Sequence, residues 1–430
     1  MHILVIGAGV AGMTAAYSLV QSGHQVTMLD SAPRPGNGAS FANGAQLSYS
    51  YVAPLAAPGV AGKALGWMLD PEAPLRLHPR LDVAQWRWLL EFLRCCTAER
   101  FAATTVELLA LGAYSRRLVH RLMQQEALEF CWAMNGKLVV YRDPAELAGA
   151  AAVVRLQAEH GAEQAVLDAG ECLALEPALE GMRHVLAGGI HTPSEEVGDA
   201  HRFCRELQRV LEAQGTRFLF GRKAQGLLLQ GGRAVGVQTP EGPLHAEAVV
   251  LAGGAAAVHL LRPHGIRLPI YPLRGYSLTL PVEPWHTPPR LSITDAHHKL
   301  VFAPLHERGG HRLRVAGMVD LAGEDTSQPP RRLATLARQA EAAFPAAADW
   351  SRPESWAGLR PATPDGKPIV GASGIPGLWL NVGHGALGFT LAPATGQLLA
   401  DMISGDELAL DPAPFALKRG PAVQPVAAPA

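Results

Sequence analysis

The chain has 430 residues, 48% of them hydrophobic and 17% charged, with a formal net charge of −1. That length exceeds what one simple core absorbs and predicts two domains that share an interface. The balance lacks the basic footprint of a nucleic-acid binder. Five cysteines, at 95, 96, 131, 172 and 204, include no CxxC pair, so neither a zinc site nor a disulfide framework is indicated and a reducing compartment fits.

The chain opens with "HILVIGAGVAGMTAAYSLVQSGHQVTMLD". His2–Ile6 reads as a buried parallel strand, Gly7, Gly9 and Gly12 as a G-x-G-x-x-G turn, the small-residue stretch ended by Gly23 as a helix, and "QVTMLD" as a second strand closing on Asp30. Gly7 makes the tight turn, Gly9 admits a pyrophosphate to the backbone, and Gly12 lets helix meet sheet. The helix start, with Val10 and Ala11, offers unpaired N–H groups and a positive dipole end. Asp30, followed by Ser31, stands where a carboxylate takes the ribose hydroxyls of an ADP moiety and repels a 2′-phosphate. A ligand containing ADP follows; this motif alone does not separate FAD from NAD. "MHILVIGAG" lacks the basic lead of a signal peptide, and no apolar run gives a convincing membrane span.

Residues 31–48, "SAPRPGNGASFANGAQLS", form a long small-residue loop suited to an extended FAD running towards its flavin. Its candidate contacts are Ala39, Ser40, Asn43, Gly44, Gln46 and Leu47. Residues 61–135 read as helices, "KALGWML", "DVAQWRWLLEFLRCC" and "FAATTVELLALGAYSRRLVHRLMQQEAL", with Trp86, Trp88 and Phe92 as helix-packing residues. "GKLVVYRD" is a strand, "ELAGAAAVVRLQAEHG" a helix, and "HRFCRELQRVLEAQG" a helix starting near Asp199 before the strand "TRFLFG".

Residues 224–252 alternate and turn at Gly231-Gly232 and Glu241-Gly242, an antiparallel meander beginning at Ala224. Its end, "AVVLAGGAAA", reads as a buried strand that rejoins the parallel sheet, with Gly253 and Gly254 permitting close approach to the cofactor. "YPLRGYSLTL", "KLVFAPL" and "HRLRVAGMVDLAG" begin a second sheet, and "RRLATLARQAEAAFP" is a helix. In "AGLRPATPDGKPIVG", Arg360 precedes a proline and an Asp365-Gly366 turn, which places it in extended backbone at a strand edge. A planar guanidinium there suits a carboxylate; a surface salt bridge or a loop anchor is the other reading of the residues alone. The last patterned stretch, "GLWLNVGHGALGFTLAPATGQLLADMISG", repeats the logic of the first: strand, glycines, helix start. His384, Gly385, Ala386, Leu387, Gly388, Phe389 and Thr390 are its candidate cofactor residues. The His297-His298 pair and the scattered acids have no recognised metal spacing, so no metal site is expected. The Pro/Ala-rich tail, residues 408–430, reads as disordered or loosely draped.

With "GASFANGAQLS", "YVAPLAAPGV", "YPLRGYSLTL", "AGLRPATPDGKPIVG" and "LNVGHGALGFTLAPATGQLLADMISG" in place, the chain to about residue 406 resembles the FAD-dependent D-amino acid dehydrogenases of the DadA small-subunit type. These lie within the D-amino acid/glycine/sarcosine oxidase superfamily. The resemblance implies a mixed α/β fold. Its parts are a glutathione-reductase-like FAD-binding domain from 1–50, 145–265 and 355–406, and a mixed-sheet substrate domain from 51–144 and 266–354. It implies oxidation of D-amino acids to imino acids, which hydrolyse to 2-oxo acids and ammonia, with electrons passing to a quinone or other respiratory-chain acceptor.

The resemblance also makes Arg360 the residue that binds substrate carboxylate. Tyr271 and Tyr276 lie in a segment that supplies pocket walls in related oxidases, and Tyr49 and Tyr51 follow the flavin-side loop; sheet or core packing is the other reading of each. The family motif more often reads "NAGQ" where this chain has "NGAQ", residues 43–46, which moves the glycine by one position. No cysteine follows Cys204, so the covalent cysteinyl flavin of sarcosine-oxidase relatives has no counterpart and FAD is expected to be non-covalent. Other readings stay open: a D-proline or D-hydroxyproline dehydrogenase, an amine oxidase using O₂, or a non-catalytic FAD-binding subunit. The expected location is cytoplasmic, with attachment at the inner face of the cell membrane or to a partner subunit left open.

Overall fold

The computed structural model describes residues 1–60, 62, 72–307 and 309–419. In the strand His2–Ile6, residues 3–6 are an uninterrupted buried apolar run, as expected of a strand covered on both faces. It lies inside a six-stranded sheet, in the order Ile369–Ala372, Leu378–Val382, Ala248–Leu251, His2–Ile6, Gln25–Asp30, Arg217–Phe220. Every pairing is parallel except the first, which is antiparallel. The meander forms a separate three-stranded sheet, Gly226–Gln230, Arg233–Thr239 and Gly242–His245, and the chain then re-enters the parallel sheet at Ala248–Leu251 as the sequence pattern predicts.

Two helices, Val10–Gln21 and Gly388–Ser404, cross tightly in this half because small residues meet. A side-chain carbon at Gly396 would lie 2.8 Å from the Ala15 nitrogen, and Thr14 Oγ1 donates to the Ala392 carbonyl at 2.8 Å. Met13, Leu19, Leu207, Leu211, Leu391 and Leu398 fill the core between them and the sheet. Helix Ala98–Gln125 adds Leu108 and Leu111 to the same core.

The second large sheet has nine strands. Its order is Glu354–Ala362, Tyr271–Val282, Gly310–Leu321, Leu300–Glu307, Ser292–Asp295, Lys137–Tyr141, Gly188–Thr192 and Ala165–Asp168, with Leu75–Leu77 pairing beside Gly310–Leu321. It is mixed: Ser292–Asp295 runs parallel to Lys137–Tyr141, and Leu75–Leu77 parallel to Gly310–Leu321. Tyr276, Leu278, Phe302, Leu313 and Val315 bury one of its faces with residues of helix Pro330–Ala343.

Sheet membership corrects the expected domain boundaries at three places. Residues 165–192 and the Arg360 strand hydrogen-bond into the nine-stranded sheet and not into the nucleotide sheet. Helix Ala98–Gln125 packs with the nucleotide core. Local pattern identifies these elements but does not say which sheet edge each one meets. The tail needs a correction as well: Phe415 is buried, and Arg419 donates to the Pro368 carbonyl at 2.7 Å and pairs with Asp365 at 3.0 Å. Residues 408–419 are therefore pinned to the main body, and 420–430 lie outside the described residues, as do Lys63–Leu69 of the expected helix "KALGWML". In the next helix, Trp88 and Phe92 stack inward at 5.3 Å and Trp86 is exposed.

Candidate active site

Between the two large sheets lies a cavity of about 1500 Å³. One end is built from backbone. Gly7 takes φ +106 beside Ala252, where a side-chain carbon would lie 2.6 Å from a carbonyl oxygen. At Gly12 such a carbon would lie 1.8 Å from the Gly7 carbonyl oxygen, so Gly12 serves the packing and does not line the cavity. Helix Val10–Gln21 begins at Gly9 with no side-chain cap of its own; Ser40 Oγ accepts from Val10 N at 3.2 Å. Asp30 accepts from the backbone N–H of Ala8 at 2.6 Å and of Ala32 at 2.7 Å, which fixes its carboxylate at the mouth of the turn.

The structure brings Gly7, Gly9, Val10, Ala11, Asp30, Ser31, Ala39, Ser40, Asn43, Gly44, Gln46, Ala224, Gly253, Gly254 and the whole of His384–Thr390 onto this one cavity. Leu47 is 1% exposed and points into the core. The second helix, Gly388–Ser404, also starts without a side-chain cap, at the same cavity. His384 Nε2 meets Thr395 Oγ1 at 2.9 Å, and burial pulls the imidazole down to about 4, so it is neutral near pH 7.

The "NGAQ" departure has a structural consequence. Ala45 takes φ 55, a left-handed conformation that favours glycine, at the position where the family motif carries one. Asn43 Oδ1 accepts from Ala45 N at 3.0 Å and supports the turn. A side-chain carbon at Gly44 would lie 3.2 Å from Val301 Cγ2.

At the other end the wall is made of side chains on the nine-stranded sheet. Arg360 lies in the edge strand Glu354–Ala362, opposite Leu273. Its guanidinium occupies room left by Gly275, where a side-chain carbon would lie 2.6 Å from Cζ. Nη1 donates to the Met318 carbonyl at 3.4 Å, from a residue whose φ is 56. Among the described residues no carboxylate pairs with Arg360, and the surface it keeps faces the cavity. Burial lowers it to about 10. Trp88, Phe92, Leu273, Tyr276, Trp356 and Leu359 line the cavity with it. Behind the strand, Gly366 takes φ +82 in the predicted turn, which Arg419 holds through Asp365.

The four tyrosines separate. Tyr51 lines the cavity. Tyr276 lines it with its ring, but its hydroxyl donates to Asp320 at 2.7 Å behind the sheet. Tyr49 and Tyr271 correct the pocket-wall reading. Tyr49 is buried with its hydroxyl on Glu196 at 2.9 Å, and Tyr271 is buried against Trp88. Arg274, the neighbouring arginine, does not face solvent either; it is 2% exposed and bound to Asp325 at 2.6 Å and Asp320 at 3.4 Å. Sequence reasoning missed Lys137, which is 2% exposed and lines the cavity. A lysine opening the apolar strand "KLVVY" was the available signal.

The cavity's polar groups fit FAD: two helix starts without a side-chain cap of their own, a glycine cradle, the fixed Asp30 carboxylate, and the lining residue Asn381, whose buried Oδ1 has no hydrogen-bond partner among the described residues. Residues 2–402 match the family described as FAD dependent oxidoreductase, and the chain belongs to that family. Within it the chain belongs with the D-amino acid dehydrogenases. It is 48% identical over 429 residues to D-amino acid dehydrogenase 2 of Ralstonia nicotianae, covering 97% of this chain and 100% of the relative. It is 49% identical over 405 residues to D-amino acid dehydrogenase 2 of Pseudomonas aeruginosa, covering 94% of each. The fold is similar to that of glycine oxidase from Geobacillus kaustophilus, with TM-score 0.73, 22% identity and coverage of 97% and 98% of the two chains. It is also similar to L-proline dehydrogenase from P. horikoshii, with TM-score 0.75, 17% identity and coverage of 97% and 96%.

Proposed function

We infer that the protein is a FAD-dependent dehydrogenase that deaminates D-amino acids oxidatively, with Arg360 as the clamp for the substrate carboxylate. The observation that carries the site assignment is the Arg360 guanidinium, without a carboxylate partner among the described residues, on the same cavity as the glycine cradle. Bound FAD supplies the two-electron acceptor. The residues of this chain do the rest. Gly7–Gly9 and Asp30 would hold the ADP part, the start of helix Val10–Gln21 would offer its N–H groups to the pyrophosphate, and the start of helix Gly388–Ser404 would offer its own on the flavin side. Arg360 fixes the carboxylate with its planar fork. Trp88, Phe92 and Leu273 offer the substrate side chain an apolar wall. The buried positive charge of Arg360 favours the neutral substrate amine over the ammonium. The nitrogen lone pair would then form the C=N bond as the Cα hydrogen leaves with its electron pair to the acceptor that FAD would supply, and the iminium would give up one proton to water. The imino acid takes up water and releases ammonia and a 2-oxo acid.

FAD is proposed to be non-covalent, supported by the lack of a cysteine among the described residues lining the cavity. The electron acceptor is proposed to be a quinone or another respiratory-chain carrier in preference to O₂, at a site in the cytoplasm or on the inner face of the cell membrane. Anaerobic reduction of the bound flavin by a panel of D- and L-amino acids, both proline enantiomers included, tests the substrate. Bleaching by D-enantiomers is expected, and bleaching by none would overturn the assignment. Denaturation and filtration should free the flavin. Turnover with an artificial acceptor should exceed peroxide release in air.

A further inference from the structure

The least conventional group on the cavity wall is Lys137. It begins a strand inside the nine-stranded sheet, between Ser292–Asp295 and Gly188–Thr192. Its Nζ donates to Gln46 Oε1 at 2.9 Å and to Ser48 Oγ at 2.9 Å, and lies 4.0 Å from the centroid of the Tyr51 ring. Gln46, Ser48, Tyr51 and Lys137 all line the cavity. No carboxylate lies within ion-pair distance of it among the described residues; two neutral oxygens and an aromatic face hold a buried amine.

The segment it touches is fastened from several sides. Gln46–Leu47 pairs with Glu196–Val197. Ser48 N donates to Thr390 Oγ1 at 3.0 Å, and Ser50 N to Glu195 Oε1 at 2.7 Å. Gln157 Nε2 donates to the Ser50 carbonyl at 2.6 Å. Strand pairing and the side chains of Thr390, Glu195 and Gln157 therefore fix this segment's path through its backbone groups, apart from Lys137. A buried ammonium is not needed to hold the chain, and burying one is costly. What it adds is positive charge on the cavity wall, aimed through Gln46 and Ser48.

We propose that Lys137 is a positioning residue that orients Gln46 and Tyr51 on the cofactor wall and places a buried positive charge there, so that the reduced, more negative flavin is favoured. This rests on the preceding reading only for the identity of the cofactor. The groups facing Lys137 are Gln46, Ser48, Tyr51 and, further off, Glu195, whose carboxyl burial pushes up. Burial lowers the Lys137 ammonium to about 8, with Glu195 opposing the shift. The charge is thus present below about pH 8 and lost as pH rises through that value.

The test is a reductive titration of the FAD holoenzyme by dithionite, which needs no substrate, across pH 6.5–9.5 with the midpoint potential as readout. The wild type should show a break near pH 8. Lys137→Met should keep FAD, lose the break, and lower the reduction equilibrium at pH 7 about tenfold, about 30 mV for a two-electron couple. Lys137→Gln, which keeps a donor and drops the charge, should retain the ordinary FAD absorbance and share the lowered potential. In stopped flow with a D-amino acid, the limiting rate of reduction should fall and apparent substrate affinity should not. A wild-type potential with no break near pH 8 overturns the proposal, and that measurement stands even if both variants fail to fold. So does a Lys137→Met holoenzyme with unchanged potential. Failure of every D-amino acid to reduce the flavin, with the break present, would sink the functional reading and leave this one standing.

Discussion

The two ends of the cavity present charge to it by opposite means. The nucleotide end uses backbone: Gly7, Gly9, two uncapped helix starts and one carboxylate already satisfied by two N–H groups. The sheet end uses desolvated cations, Arg360 and Lys137, each lowered by burial. Backbone dipoles need no side-chain ordering and keep their partial charge at any pH. Buried cations are stronger and directional, but each depends on one side chain, and Lys137 also on pH. On the proposed function, the first end retains the cofactor and Arg360 on the second selects the substrate.

Substitution at the backbone end should be all-or-none. Gly12→Val puts carbon where the Gly7 carbonyl sits, at 1.8 Å, and nothing but backbone is there to give. The purified variant should carry no FAD by absorbance and unfold at lower temperature; a variant with full FAD content would break the comparison. Arg360→Ala should do the reverse, keeping FAD while kcat/KM falls tenfold to more than a hundredfold. A hydrogen bond to a charged group contributes about 1.5–3 kcal/mol, and a bidentate one more. Arg360→Lys should restore only part of this, because a point charge lacks the fork. Steady-state kinetics of the two variants would settle it; near-normal kcat/KM in Arg360→Ala would remove the clamp.

Smaller effects sharpen the contrast. Tyr276→Phe removes the hydroxyl from Asp320, which keeps Arg332 at 2.8 Å, so denaturant unfolding should show a loss of about 1–2 kcal/mol with FAD retained. A large loss of activity at unchanged stability would mean that the hydroxyl acts in the cavity. Ala45→Gly should relieve the left-handed strain at φ 55 and add backbone entropy to the unfolded chain. The two nearly cancel, so stability should move by less than about 1 kcal/mol. A changed flavin spectrum in that variant would give the NGAQ departure a role at the cofactor.

The nucleotide end was legible in the sequence because its logic is local: strand, Gly7–Gly12, helix and Asp30 fall within thirty consecutive residues. Arg360 was legible through its Pro361 and Asp365-Gly366 neighbours together with the family resemblance. Its slot was not, because Gly275 vacates that room from another strand. Tyr49 and Tyr276 have the same sequence credentials as Tyr51, yet Glu196 and Asp320 draw their hydroxyls away. Lys137 looked like the edge of an ordinary strand because its partners lie some ninety positions upstream.

The order of strands in the nucleotide sheet bears on how the protein is made. His2–Ile6 sits inside its sheet, yet its neighbour on one side, Ala248–Leu251, is synthesised long after it. The helix that crosses Val10–Gln21 is Gly388–Ser404, which is synthesised later still. At roughly 5–20 residues per second, the glycine turn exists as sequence long before it exists as a site. FAD capture is therefore a late event in biogenesis. Until then the nascent chain carries an apolar strand with an open edge, a template for wrong pairing that cofactor supply does not cover.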